Sequence, residues 1–197
     1  MNRVRRGFTL VELMVVVAII GVLAALAIVG FQRYSAASGS GEAISMLNNL
    51  RMAQEAFRAE NLRYNNCTAA AGTIVGGDYY PRDPTGALTN QKVMWGPADT
   101  TVGVLGCFNA MGFRAGGAVR YNFAVTAGGP GGALGGVAGR TANNVGPAPA
   151  LNPTPARDPY YVAAAVANLR GAAGDNTKSF VWISSQSTEA FIGSDSD

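Results

Sequence analysis

The longest apolar stretch of the chain covers residues 7–31, and Glu12 is its only ionisable residue. A helix of about 20 apolar residues rises roughly 30 Å, which matches the hydrocarbon core of a bilayer. Arginines occupy positions 3, 5 and 6 just before the stretch, and the next basic residue is Arg33. This asymmetry predicts that the N-terminus stays in the cytoplasm while the following residues are exported. The pattern therefore predicts one membrane-spanning helix over residues 8–31.

A second helical pattern begins at Glu42, where apolar residues recur at helical spacing and polar residues largely avoid their stripe. We expect this stripe to lie on a sheet, so that a single helix covers residues 8–63. The segment 35–41 contains two glycines and three serines. Because these residues lower helix stability, local fraying or bending is expected there. The stripe consists of Ala43, Met46, Leu47, Leu50, Ala53 and Phe57.

The second half of the chain contains segments with the residue patterns of β-strands. Apolar residues alternate over 118–126, which predicts a half-buried strand. Residues 160–169 and 178–185 predict two further strands, and 189–192 a short fourth one. Between helix and sheet, 68–117 is expected to be irregular, and 128–159 to form a long Gly/Pro-rich surface loop. The predicted fold class is α+β, with a long N-terminal helix packed on a small antiparallel sheet within 64–197.

The N-terminal segment is compatible with several kinds of exported protein. A secretory signal would use residues 25–27, Ala-Leu-Ala, as its cleavage site, but its apolar region spans only roughly 7 to 15 residues. A plain membrane anchor fits the length. It gives no reason for Glu12, because a carboxylate inside a bilayer costs about 2.5 to 3.5 kcal/mol on insertion scales. Such a charge calls for a partner.

The residues around Glu12 resemble the N-terminus of type IV pilin precursors. They read Arg6-Gly7-Phe8-Thr9-Leu10-Val11-Glu12-Leu13 and lead into the apolar run. The resemblance implies that a prepilin peptidase cuts after Gly7 and methylates the new amine of Phe8, so that residues 1–7 are a leader and the apolar helix stays on the protein. It also implies that Glu12 pairs with the Phe8 amine of a neighbouring subunit in a filament. Breaking a buried pair of this kind costs roughly 3 to 5 kcal/mol.

Charge and composition narrow the possible functions. Of 15 basic residues, three lie in the leader, which leaves 12 against 12 acidic residues. The remaining chain is neutral, without a basic run that would indicate nucleic-acid binding. The chain has no histidine, which excludes histidine catalysis and the common zinc sites, and no Gly-Lys pair for a P-loop. A turn is predicted over residues 170–176, between the second and third strands, and Asp175 is its only acidic residue. Asp175 alone is a poor calcium site, because hard cations take about six or more oxygens. We expect no enzymatic activity, cofactor or metal.

The chain has two cysteines, Cys67 and Cys107. In an exported protein such a pair favours a disulfide. Two unpaired buried thiols are the alternative.

Together these features predict a structural subunit of a type IV pilus, held in the inner membrane with its C-terminus in the periplasm and later assembled into an extracellular filament. Its partners would be copies of itself, the prepilin peptidase and an assembly machinery with a separate ATPase. The alternatives are a type II secretion pseudopilin and a minor pilin that binds surfaces or DNA at a filament tip. Movement, attachment and DNA uptake are all compatible with such a filament.

Overall fold

The computed structural model describes residues 8–81, 91–96, 102–137, 156–168 and 178–194. The chain divides into two compact units, Met1–Ser38 and Gly39–Asp197. The regular elements, in chain order, are α1 (Leu10–Asn61), β1 (Thr73–Ile74), α2 (Val102–Ala110), β2 (Asn122–Gly128), β3 (Gly136–Val137), β4 (Tyr160–Asn168), β5 (Lys178–Ser184) and β6 (Ser187–Ser194).

Helix α1 is continuous from Leu10 to Asn61. It ends where Leu62 adopts a left-handed backbone conformation, with φ at 56°, and donates its N–H to the carbonyl of Arg58 at 2.8 Å. A left-handed residue after the last turn is a common way to end a helix. Residues 35–41 lie within α1. The local fraying or bending expected there stays a prediction.

Four strands form an antiparallel sheet in the order β2-β4-β5-β6. This confirms the predicted α+β class and the three later strands. The register places Ala164 opposite both Ala124 and Trp182. Small alanines along β4 leave room for large side chains on the neighbouring strands. A separate two-residue parallel pair joins β1 to β3.

The apolar stripe of α1 covers one face of the sheet, as predicted. Ala43, Leu47 and Leu50 are buried in the same cluster as Val125 and Ile183. The remaining three residues of the stripe, Met46, Ala53 and Phe57, are partly buried against that cluster.

Strand β2 is not half-buried, because the other face of the sheet is covered as well. Residues 121–127 are all buried. Ile74 and Tyr79 pack there with Phe180 and Trp182. A polar residue of β2 such as Thr126 is therefore also buried. The alternation of apolar and polar residues in this strand does not mean that one face of the sheet is exposed to solvent.

The segment predicted to be irregular, 68–117, contains helix α2, so that prediction is wrong over Val102–Ala110. In the predicted surface loop over 128–159, the described part includes β3, and residues 138–155 lie outside the described residues. The predicted turn that holds Asp175 also lies outside them.

Candidate functional site at the N-terminal helix

The first turn of α1 is closed by Thr9 and Glu12. The backbone N–H and the hydroxyl of Thr9 donate to Oε2 of Glu12 at 2.9 and 2.8 Å. In return, the backbone N–H of Glu12 donates to the Thr9 hydroxyl at 3.2 Å. This reciprocal arrangement is a capping box, which satisfies backbone donors that have no partner inside the helix. It also places the carboxylate at the positive end of the helix dipole.

This role of Thr9 is not among the sequence-based predictions above. The pattern Thr9-Leu10-Val11-Glu12 ahead of an apolar run is the signature of a capping box, so the signal was present in the sequence. The structure brings Thr9 and Glu12 together and leaves both exposed. Phe8 is 82% exposed. Gly7 lies outside the described residues.

The apolar surface that follows is uncovered. Leu10–Ile28 is long and apolar enough to cross a membrane, and none of this span is buried within the chain. Isolated large apolar side chains are common on soluble proteins, but contiguous apolar surfaces of this extent mark contacts with a membrane or with other proteins. The apolar span and the capping box together form the candidate site.

The second part of α1 is fixed to the domain by polar contacts as well as by its stripe. The guanidinium of Arg51 donates to the carbonyls of Thr188 and Ser187 at 2.8 and 2.9 Å. At an earlier turn, the carboxylate of Glu42 accepts from the backbone N–H of Arg120 at 2.9 Å. These bonds join residues far apart in sequence, and they hold α1 against both edges of the sheet.

A polar and aromatic cluster lies where the helix ends. The Tyr64 hydroxyl donates to Glu55 at 2.9 Å and accepts from Arg58 at 2.8 Å. The Tyr64 ring meets the ring of Tyr161 edge-on, with centroids 4.8 Å apart. Burial raises the pKa of Tyr161 to about 12, and the positive charge of Arg51 nearby partly opposes this rise. Burial also raises the pKa of Tyr64. Both phenols therefore remain neutral at physiological pH.

Cys67 and Cys107 form a disulfide with their Cα atoms 5.4 Å apart. The predicted pairing is confirmed, and the alternative of two free thiols is wrong. The bridge ties the segment after α1 to α2, and the side-chain amide of Asn65 donates to the carbonyl of Cys107 at 3.2 Å. Among the described residues there is no group of three or more side chains of the types His, Cys, Asp and Glu that could hold a metal ion.

Comparison with known proteins finds a matching family model and several similar proteins. Residues 2–28 match the family model for the prokaryotic N-terminal methylation motif. The type IV major pilin protein PilA of Myxococcus xanthus is 51% identical over 65 residues, which are 33% of this chain and 30% of that protein. The type IV major fimbrial protein FimA of Dichelobacter nodosus is 40% identical over 77 residues, 39% of this chain and 46% of that protein.

The chain thus spans less than half the length of these relatives. No solved structure matches it at a significant level. The family model covers the capping box and the apolar span to Ile28, which together form the candidate site. The fold adds an antiparallel sheet behind the same helix. In its N-terminal part the chain is therefore similar to type IV major pilins, and it carries the prokaryotic N-terminal methylation motif.

Proposed function

We propose that this chain is the structural subunit of a type IV pilus filament and that it has no catalytic role. The observation that carries the proposal is an uncovered apolar span of α1 whose only charged residue, Glu12, lies near its start. The matched methylation motif and the similarity to type IV major pilins support it.

In this proposal the prepilin peptidase cuts between Gly7 and Phe8 and methylates the Phe8 amine. The apolar helix then holds the subunit in the inner membrane, with the domain on the periplasmic side. Assembly transfers the helix from lipid to a bundle of identical helices. Because lipid tails are as apolar as leucine, the gain comes from helix packing and from polar contacts between helices, not from new burial away from water. A separate ATPase supplies the work.

Glu12 is the polar contact that sets the register between subunits. In the apolar interior of such a bundle, its carboxylate pairs with the Phe8 amine of the next subunit. The Thr9 contacts use Oε2 of the carboxylate. A buried carboxylate without a cation costs several kcal/mol, so subunits that are out of register are disfavoured.

Replacement of Glu12 by alanine tests the pairing. We expect Glu12→Ala to be cut and inserted normally but to yield few or no fibres, because the Phe8 amine then lacks its partner. Sheared surface fibres are collected, and their subunit is quantified and its mass measured. For the original chain, we expect the mass of the fibre subunit to be that of a chain that begins at methylated Phe8.

Glu60→Ala is the matched control, since Glu60 is also an exposed glutamate of α1. It should leave the fibre yield unchanged. Abundant fibres from Glu12→Ala would contradict the pairing. A mature chain that begins after residue 27 would contradict the whole proposal. If cells without this chain lose the export of enzymes, and cells with it make no fibres, the chain is a secretion pseudopilin.

A further inference from the structure

Two aromatic side chains follow the apolar span of α1 and remain uncovered. Phe31 is 71% exposed and Tyr34 is 75% exposed. Residues three apart lie on the same side of a helix, so the two rings share one face. Phe31 ends the apolar run. Tyr34 is the next aromatic residue along the chain, and its ring carries a hydroxyl.

The chemistry of tyrosine suits the boundary between lipid and water. Its ring is apolar and its hydroxyl forms hydrogen bonds, so the side chain prefers a place where one end is dry and the other wet. Tyrosine and tryptophan are accordingly enriched at both surfaces of membranes. The order along α1, from aliphatic residues to Phe31 and then to Tyr34, follows the change from hydrocarbon to headgroups.

We propose that Tyr34 anchors α1 at the periplasmic membrane–water interface and thereby sets the depth of the helix in the bilayer. The inference rests on the proposed function, in which α1 is inserted in the inner membrane before assembly. It goes further, because it names the residue that fixes where the inserted helix stops.

The distance along the helix supports this role. Glu12 and Tyr34 belong to the same continuous helix, and at the usual rise they lie roughly 33 Å apart along its axis. The hydrocarbon core is about 30 Å thick. When Tyr34 lies at the periplasmic interface, Glu12 therefore lies at the level of the opposite headgroups. The charged capping box then remains outside the hydrocarbon, where a carboxylate is tolerated.

All waiting subunits anchored by Tyr34 present the Thr9–Glu12 turn at the same depth. Neighbouring subunits can then meet at the level of Glu12 without a prior shift along the membrane normal. The face formed by Phe31 and Tyr34 could instead contact another copy of the chain. The experiment below distinguishes this contact from a contact with the membrane interface.

The test moves the tyrosine and measures the depth of the helix. The full chain is placed in vesicles of phosphatidylethanolamine and phosphatidylglycerol, with Gly30→Cys as the reporter for a membrane-impermeant maleimide. A side chain at Gly30 meets nothing within 4 Å, so the reporter fits. The native cysteines are bonded to each other and do not react. Tyr34→Ala is combined either with Ser38→Tyr or with Leu26→Tyr, each one or two turns from the original anchor.

Moving the tyrosine to position 38 should draw the helix inward by about one turn, ~6 Å, and slow the labelling of the Gly30→Cys thiol. Moving it to position 26 should draw the helix outward and speed the labelling. Tyr34→Trp should behave as the original chain. Equal labelling in all variants that remain inserted would overturn the anchor.

Two further outcomes have distinct meanings. If every variant is fully labelled and washes off the vesicles at alkaline pH, insertion itself fails, which overturns the proposed function and the anchor together. If Tyr34→Ala keeps its depth but assembles no fibres in cells, Tyr34 belongs to a contact between copies of the chain. That outcome overturns the anchor and leaves the proposed function standing.

Discussion

Gln54 shows how one residue can connect the helix to the chain that follows it. The side chain is fully buried. Its Nε2 donates to the carbonyl of Asn65 at 2.8 Å, and its Oε1 accepts from the N–H of Asn65 at 2.9 Å. Both backbone groups of Asn65 are thus satisfied by one amide, at the point where the chain turns back from α1. The burial of Gln54 could not be predicted from the apolar stripe. A polar residue is buried there only if it has a partner, and its partner Asn65 lies eleven positions further along the chain.

Replacement of this amide by a hydrocarbon of similar size should lower the stability of the domain. In Gln54→Leu the N–H and the carbonyl of Asn65, which are partly buried, both lose their partner. A fully buried unpaired group costs about 1–3 kcal/mol, so we expect a total loss of about that size. Unfolding in urea, with the full chain in detergent, can be followed by the fluorescence of the buried Trp95 and Trp182.

Asn49→Leu is the matched control for this prediction, since Asn49 is an exposed amide of the same helix. Its urea midpoint should remain near that of the original chain, because surface substitutions change stability by about 0.5 kcal/mol or less. Equal midpoints for Gln54→Leu and Asn49→Leu would show that the Asn65 contacts contribute nothing.

At the scale of elements, those with a strong period could be predicted and those fixed by distant contacts could not. The stripe that contains Leu47 and Leu50 follows from helical spacing alone. Helix α2 does not, because its nine residues include Gly103 and Gly106, which disfavour a helix. Its core residue Phe108 packs against Trp95 and Phe113, with ring centroids 5.6 and 5.4 Å apart. Tertiary contacts of this kind outweigh propensity.

The disulfide is the other device that holds α2 in place, and its removal should destabilise the domain. The bonded cysteines are 40 positions apart. For a loop of that length the chain-entropy model gives a stabilisation of roughly 4 kcal/mol. We therefore expect the double substitution Cys67→Ala and Cys107→Ala to lower the thermal midpoint clearly, while cleavage at the N-terminus proceeds as before.

Reduction provides the control for the bridge. A reductant should lower the thermal midpoint of the original chain toward that of the double variant and should leave the variant itself unchanged. A midpoint that is the same in the original chain and the variant would mean that the loop is held closed by its packing alone.

For the whole molecule, the two units differ in how well the sequence describes them. The span Leu10–Ile28 is apolar and uncovered, so its composition and length are enough to predict most of its structure. In the unit Gly39–Asp197, the sheet has both faces covered, and the second cover comes from short pieces such as β1. Pieces of two residues have no detectable period. The capping box of Thr9 and Glu12 was not predicted, although it could have been, because its sequence pattern covers only four residues.

The buried phenols of the domain give the whole molecule a limit of stability at alkaline pH. Burial raises the pKa of Tyr161 to about 12 and also raises the pKa values of Tyr79, Tyr121 and Tyr160. In the unfolded chain these groups ionise near pH 10. Above that pH the unfolded state releases protons that the folded state retains, so the free energy of unfolding falls as pH rises through the interval from 10 to 12. Below pH 10 the contribution of these tyrosines is constant.

The variant Tyr161→Phe isolates one phenol, which belongs to the helix–sheet core beside Tyr64. We expect the urea midpoints of the original chain and the variant to differ by a constant amount between pH 7 and pH 9. Between pH 10 and pH 11 the original chain should lose stability faster, because only it has this proton to release on unfolding. The difference between the two midpoints should therefore shift in favour of the variant as pH rises. Parallel midpoints up to pH 11 would mean that the Tyr161 phenol ionises equally easily in both states, and that its burial in the core does not resist the charge.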